Sequence, residues 1–281
     1  MKAIFQNTFS RMRGQIIGWG LTMVVLGLMV TSVYDVVLEN QEQLLALISN
    51  YPPEMMAFFG DTPEFATPEG FLSIEYFGFM PVILGIFAVL AGSGLLAGDE
   101  ENGTLDLILG HPVSRTSFFL GRLTAFVTTS AAILALGWLG LLLPRYWTNL
   151  EVDPGRLALP FIGLLAQVLL FGALALFLSM GLPSRRMAAM GGALVLIVSY
   201  FVTSLARLNT DLEGIARLSP LNYYQSGDAI AGLNWEWLVG LLAAAAVFTV
   251  LAWWRFERRD IRVGGEGGWR LPLLRRRGAR A

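Results

Sequence analysis

Six apolar runs, each long enough to cross a bilayer, alternate with polar stretches along the 281 residues. A helix of about 20 apolar residues spans the hydrocarbon core of a membrane, so each run predicts a transmembrane helix. The pattern therefore predicts an all-α polytopic membrane protein. The predicted spans are residues 16–34, 77–98, 123–143, 157–180, 188–205 and 237–254.

Two polar segments flank these spans. Residues 1–15 place apolar side chains on a rough helical stripe with basic residues around it, which predicts a short interfacial helix leading into the first span. Residues 255–281 form a basic tail with three consecutive arginines at 275–277, and we expect it to fix the topology or to contact anionic lipid or a partner subunit. Trp269 is the one aromatic residue near those arginines, so nucleic-acid binding is not expected.

The charges predict which side of the membrane each connection occupies. With six spans, both termini share a side with the second-to-third and fourth-to-fifth connections. That side carries 16 of the 20 Lys and Arg residues, whereas the opposite side carries 14 of the 21 Asp and Glu residues. Basic residues accumulate on the cytoplasmic side, so both termini and the second-to-third connection are predicted to be cytoplasmic. We expect a multi-pass protein of the inner or plasma membrane.

Residue counts limit the chemistry that the chain can perform. Cysteine is absent, and there is one lysine, Lys2, and one histidine, His111. These counts exclude thiol chemistry, a histidine-rich metal site and a G-x-x-x-x-G-K-[ST] phosphate loop within this sequence. No Asp, Glu, Lys, Arg or His falls within the predicted span limits, which argues against a proton-driven transporter or a membrane enzyme. We expect no catalytic residue, cofactor or metal site in this chain.

Mildly polar side chains do occur within the predicted spans. Thr128 and Thr129 lie in the third span, Gln167 in the fourth and Ser199 in the fifth. Each is a candidate for lining a translocation path. Polar groups in membrane helices often bond their own backbone or a neighbouring helix instead, so a structural role is the alternative for each residue. An apolar path with few polar groups would suit a hydrophobic or amphipathic cargo.

The connection between the second and third spans, residues 99–115, is the polar stretch with the most closely spaced helix-breaking and helix-capping residues. Gly103 interrupts the chain just before Thr104, the predicted N-cap of a helix of about two turns. Pro112 ends that helix, because proline cannot continue it. Such a helix lies on the membrane or against a soluble partner; the alternative is a tight connection with a solvated acidic face. Its apolar face is predicted to consist of Leu105, Ile108 and Leu109.

This stretch carries a resemblance to a known family. Residues 101–115, reading E-N-G-T-L-D-L-I-L-G-H-P-V-S-R, resemble the pattern acid-x-G-T-L-x-x-L-L-x-x-P-V-S-R found between the second and third spans of type-2 ABC exporter permeases. A weaker resemblance, S-P-L-N-Y-Y at residues 219–224, is to the family's segment before its last span. The general layout fits over nearly the whole chain.

The resemblance implies partners and a mechanism. Permeases of this family are dimers, and their cytoplasmic loop docks as a coupling helix on a separate ATPase subunit, which binds ATP and magnesium. The implied partners are an ABC ATPase subunit, a second permease copy or homologue, and the lipid bilayer. Within the loop, the three apolar residues would act as anchors and the charged residues as rim contacts. The candidate coupling residues are Glu100, Glu101, Gly103, Thr104, Leu105, Ile108, Leu109, Pro112 and Arg115.

A second interpretation remains open from the sequence. The same loop would also serve a membrane scaffold or assembly factor that recruits a soluble partner without transporting anything. A neighbouring gene for a phosphate-loop ATPase would favour the transporter, whereas an isolated gene would favour the scaffold.

Overall fold

The computed structural model describes residues 1–48 and 67–259. These residues contain six helices that are long and apolar enough to cross a membrane, and no strand occurs among them, which confirms the all-α, six-span prediction. The placement of the termini on the cytoplasmic side stays a prediction from charge. The six spanning helices are Lys2–Glu39, Pro68–Gly94, Arg115–Tyr146, Pro154–Gly181, Arg185–Ala206 and Trp235–Arg258.

The helices extend beyond the apolar runs at most of their ends. Residues 1–15, predicted as an interfacial helix, are helical and continue without a break into the first span. The third helix begins at Arg115, eight positions before the predicted limit, and the sixth ends at Arg258. The basic tail from residue 260 onward lies outside the described residues.

Shorter elements lie within the second and third spans and between the spans. The second span is composite, with a π-helical turn between two α-helical pieces, Pro68–Leu72 and Met80–Gly94. The third span ends in a 3₁₀ turn. The remaining elements are Gln41–Ile48, Ala97–Glu101, Leu105–Leu109, Thr210–Leu212, Glu213–Ala216, Pro220–Tyr223 and Ser226–Ile230.

The fourth span is the centre of the bundle. It contacts the second, third, fifth and sixth spans, while the first span packs mainly along the third. Glycines permit the closest of these approaches: a methyl group added to Gly92 would lie 2.2 Å from the carbonyl oxygen of Gly172 in the fourth span. Small residues allow membrane helices to approach to this degree.

The first, fifth and sixth spans are the least buried, and Leu21, Leu194 and Val247 are among their exposed apolar side chains.

Residues 219–230 fold back against the bundle at the end opposite the second-to-third connection. The amide of Gln167, near the middle of the fourth span, donates to the Pro220 carbonyl at 2.8 Å. Tyr224 is half-buried, and its hydroxyl donates to the Phe77 carbonyl at 3.3 Å. These hydrogen bonds attach the irregular segment to the fourth and second spans.

Candidate functional site

The second-to-third connection contains two short helices joined by a left-handed glycine. Ala97–Glu101 ends just before Gly103, whose φ of 67° is in the region that glycine adopts without a steric penalty. Leu105–Leu109 follows. The Ser114 side chain then accepts a hydrogen bond from the Ser117 amide and caps the third span. The breaks predicted at Gly103 and after Leu109 are therefore confirmed.

Thr104 occupies the N-cap position of the Leu105–Leu109 helix, as predicted, and its carbonyl accepts a hydrogen bond from the Ile108 amide at 3.1 Å. Its side chain makes no cap hydrogen bond to the Leu105–Leu109 helix. The hydroxyl donates backward instead, to the backbone carbonyl and to a carboxylate oxygen of Asp99, each at 3.2 Å. Thr104 therefore ties the second short helix to the first.

The apolar face of the Leu105–Leu109 helix packs mainly against the chain itself. Leu105 is 2% exposed and lies in the main hydrophobic core, while Ile108 and Leu109 are half-buried against that core. Leu107, on the opposite side of the short helix, is 71% exposed. In this structure Leu107, and not Leu105, is the large apolar side chain that the loop presents at the surface.

Asp99 is buried and binds two arginines from different spans. Its Oδ1 lies 3.2 Å from Nη1 of Arg11 in the first span, and its Oδ2 pairs with Nη2 of Arg122 in the third. The side chains of Asp99 and Arg122 are 6% and 8% exposed, whereas that of Arg11 is 54% exposed. The Arg122 guanidinium also lies over the ring of Phe118, 5.0 Å from its centroid.

Glu100, the next residue, points to a different part of the bundle. Its carboxylate pairs with Nη2 of Arg259, which follows the end of the sixth span. Arg259 Nη1 also donates to the Met180 carbonyl at 3.1 Å, at the end of the fourth span. Asp99 and Glu100 are both buried, so these two acids do not form the solvated acidic face considered as an alternative.

Glu101 and Arg115 make further contacts between elements. Glu101 Oε1 accepts a hydrogen bond at 2.7 Å from the backbone amide of Arg185, the first residue of the fifth span. Arg115 Nη1 donates to carbonyl oxygens at the end of the sixth span, at 3.0 Å to Phe256 and 2.6 Å to Arg259. In the structure Arg115 therefore joins the third span to the sixth. Pro112 is exposed in the bend between the Leu105–Leu109 helix and the third span.

Comparison with known proteins identifies the family. The model of the ABC-2 family transporter proteins matches residues 3–261, nearly the whole chain. The chain belongs to the ABC-2 transporter family. It is therefore a multi-pass protein of the cell membrane. It is also similar to a multidrug efflux system permease protein of Mycobacterium tuberculosis, with 27% identity over 212 residues. That match covers 75% of this chain and 37% of the relative.

The four polar residues considered for a path occupy different environments in this ABC-2 family member. Thr128 is exposed and donates to the Thr124 carbonyl of its own helix at 2.8 Å. Thr129 is fully buried, with its hydroxyl 3.7 Å from the Met12 sulfur. Gln167 and Ser199 are also buried. Gln167 and Ser199 both bond to the turn at Ser219 and Pro220, whereas Thr128 and Thr129 bond to residues of the third and first spans. The role of these four residues in a path stays a prediction.

The sequence does not single out the pairing of Asp99 with Arg122 or of Glu100 with Arg259, because Arg259 follows the sixth span and meets the connection only in the folded structure. Arg122 directly precedes the predicted limit of the third span, and a basic residue at that position indicates topology and not a buried contact. Pairing with Asp99 would have been a further signal, because a buried arginine requires an anionic partner. The distance of 23 positions between them hides that pairing in the sequence.

Proposed function

We propose that this chain is the membrane subunit of an ATP-driven exporter. It forms a translocation path as a dimer with a second copy or a homologue, and takes its energy from a separate ATPase subunit through residues 99–115. One observation carries the proposal. The connection exposes Leu107 at the surface, while its other side chains bind the ends of several spans.

The exposed part of the loop suits a protein partner. Leu107 combines an apolar side chain, 71% exposed, with the exposed carboxylate of Asp106 beside it. Burying one leucine side chain contributes roughly 1.5–3 kcal/mol, and a charge at the rim adds to partner selection more than to affinity. Ile108 and Leu109 are half-buried and complete the edge of this surface. These features support docking in a groove of an ATPase.

The ATP and magnesium belong to the partner in this proposal. The sequence has a single lysine, Lys2, and no phosphate loop. The chain would therefore contribute movement of its spans and not hydrolysis. The exposed apolar side chains of the first, fifth and sixth spans leave surface for lipid and for a second permease copy.

The proposed cargo is a hydrophobic or amphipathic small molecule. Two features support this choice: the mostly apolar composition of the spans, and the likeness to a relative named as a multidrug efflux permease. The buried or self-bonded polar residues Thr128, Thr129, Gln167 and Ser199 would reach such a cargo only in another conformation of the bundle.

The test uses Leu107→Asp in proteoliposomes with the ATPase encoded nearest to the gene. Leu107→Asp removes the apolar contact and adds a charge, so we expect at least a tenfold loss of copurified ATPase and of permease-dependent ATP hydrolysis. Leu218→Asp is the matched control, since Leu218 is 84% exposed at the other end of the bundle. We expect wild-type behaviour from it.

Two results would count against the proposal. Unchanged copurification of Leu107→Asp would remove the loop from the docking surface. A wild-type permease that binds no ATPase, but captures another soluble protein through the same loop, would favour the scaffold interpretation.

A further inference from the structure

Three consecutive carboxylates on the Ala97–Glu101 helix contact different spans. Successive residues of a helix point about 100° apart, so Asp99, Glu100 and Glu101 necessarily diverge. The second span leads into this helix through the turn at Leu95 and Leu96. The short helix thus lies where contacts from every part of the bundle can converge.

Asp99 contacts the first and third spans. Arg11 belongs to the first span, and its partly exposed guanidinium binds one carboxylate oxygen at 3.2 Å. Arg122 belongs to the third and binds the other oxygen inside the protein. These spans also pack extensively on each other, so a force on Asp99 acts on both of them together.

Glu100 contacts the sixth and fourth spans through one arginine. Arg259 pairs with the Glu100 carboxylate, and the same guanidinium donates to the Ser179 and Met180 carbonyls that the fourth span leaves unpaired at its end. The fourth and sixth spans pack on each other as well. Glu101 adds the fifth span through the amide of Arg185.

We propose that the Ala97–Glu101 helix is a hub that divides the movement of the coupling loop between two groups of spans. Asp99 is the positioning residue for the first and third spans, and Glu100 is the positioning residue for the fourth and sixth. The inference rests on the proposed function, because an ATPase bound at Leu107 supplies the movement. Thr104 transmits that movement to the hub by bonding the Leu105–Leu109 helix to Asp99.

The experiment measures the movement of each group of spans separately. The chain contains no cysteine, so introduced cysteines carry spin labels without background. Ile17 in the first span and Val247 in the sixth are 67% and 56% exposed, and each is paired with a reference label at Leu218. Labelled permease is mixed with excess unlabelled permease and the ATPase, and the distances are measured by pulsed electron spin resonance with and without ATP.

Each acid should affect one of the two distances. In wild type we expect ATP to change both. Asp99→Asn should remove most of the change at Ile17 and leave that at Val247, while Glu100→Gln should do the reverse. Asp99 and Glu100 are buried and do not belong to the exposed surface at Leu107, so both variants should bind the ATPase within threefold of wild type. Glu213→Gln, an exposed acid at the other end of the bundle, should change neither distance.

A milder variant protects the test against misfolding. Arg11→Gln removes the link to the first span and leaves the buried pair of Asp99 and Arg122 in place, so it should also reduce the change at Ile17. Equal loss at both labels, or no loss in any variant, would overturn the hub. A wild type that binds no ATPase, or shows no ATP-dependent change, would instead refute the proposed function beneath it.

Discussion

The contact between the second and fourth spans allows a sharp test of the packing. At Gly92 an added methyl group would lie 2.2 Å from the carbonyl oxygen of Gly172 and 2.8 Å from its Cα. The obstructing atoms are backbone, so they cannot rotate away as the end of a flexible side chain can. Gly92→Ala therefore forces two helices of the core apart by about 1 Å, since ordinary carbon–oxygen contact requires more than 3 Å.

The cost of this separation follows from known overpacking. Extra methylenes in a filled core cost about 1–3 kcal/mol and sometimes more, and we take the upper end, because the fourth span contacts four others. A loss of 1 kcal/mol lowers the melting temperature of a chain of this size by roughly 2–4 °C. We therefore expect Gly92→Ala to melt about 6–12 °C below wild type in detergent.

Tryptophan fluorescence during heating is a suitable assay, because the chain has eight tryptophans. Gly240→Ala is the matched control: it lies in the sixth span, and an added methyl group there has no neighbour within 4 Å. Alanine is about 1 kcal/mol better than glycine in a helix, so the control should melt at or above the wild-type temperature. A Gly92→Ala protein melting within 2 °C of Gly240→Ala would refute the close approach of the two spans.

Two further predictions concern the connection between the second and third spans. Gly103 has a φ of 67°, so Gly103→Ala should destabilise the protein by about 1–2 kcal/mol and Gly103→Asn by less, as thermal melting would show; equal melting of the two would contradict the left-handed turn. Arg115→Gln removes donors from the carbonyls of Phe256, Glu257 and Arg259, so amides in the last turn of the sixth helix should exchange hydrogen faster, and unchanged exchange would count against the contact.

The number and type of the helices could be predicted because the bilayer imposes a minimum apolar length. The helix ends could not, because polar residues continue a helix wherever tertiary contacts satisfy their side chains. Arg115 and Arg122 show this: both lie before the predicted start of the third span, yet both are helical. Their partners are the end of the sixth span and Asp99, which the sequence does not place beside them.

Some features of the second-to-third connection could also be predicted from the sequence, and others could not. Gly103 and Pro112 act through the local backbone, so their breaks could be predicted from single residues. The burial of Leu105 could not, because an amphipathic face fits a partner groove and the protein's own core equally well. The side chain of Thr104 makes no cap hydrogen bond for a related reason: its hydroxyl is turned toward Asp99, five residues earlier, to which it donates.

The buried acids of this loop also bear on why the connection is charged. A buried ion pair is often no more stabilising than well-packed apolar residues of the same size, because both charges lose their hydration. The side chains of Asp99 and Arg122 are 6% and 8% exposed, and stability alone does not explain why these buried positions are charged. Apolar side chains in their place would allow neighbouring helices to slide, whereas paired hydrogen bonds hold a direction as well as a distance. A connection that moves particular spans must keep a fixed orientation relative to them. The charged pairs provide that orientation, so they fit the role of a hub better than that of a stabilising core.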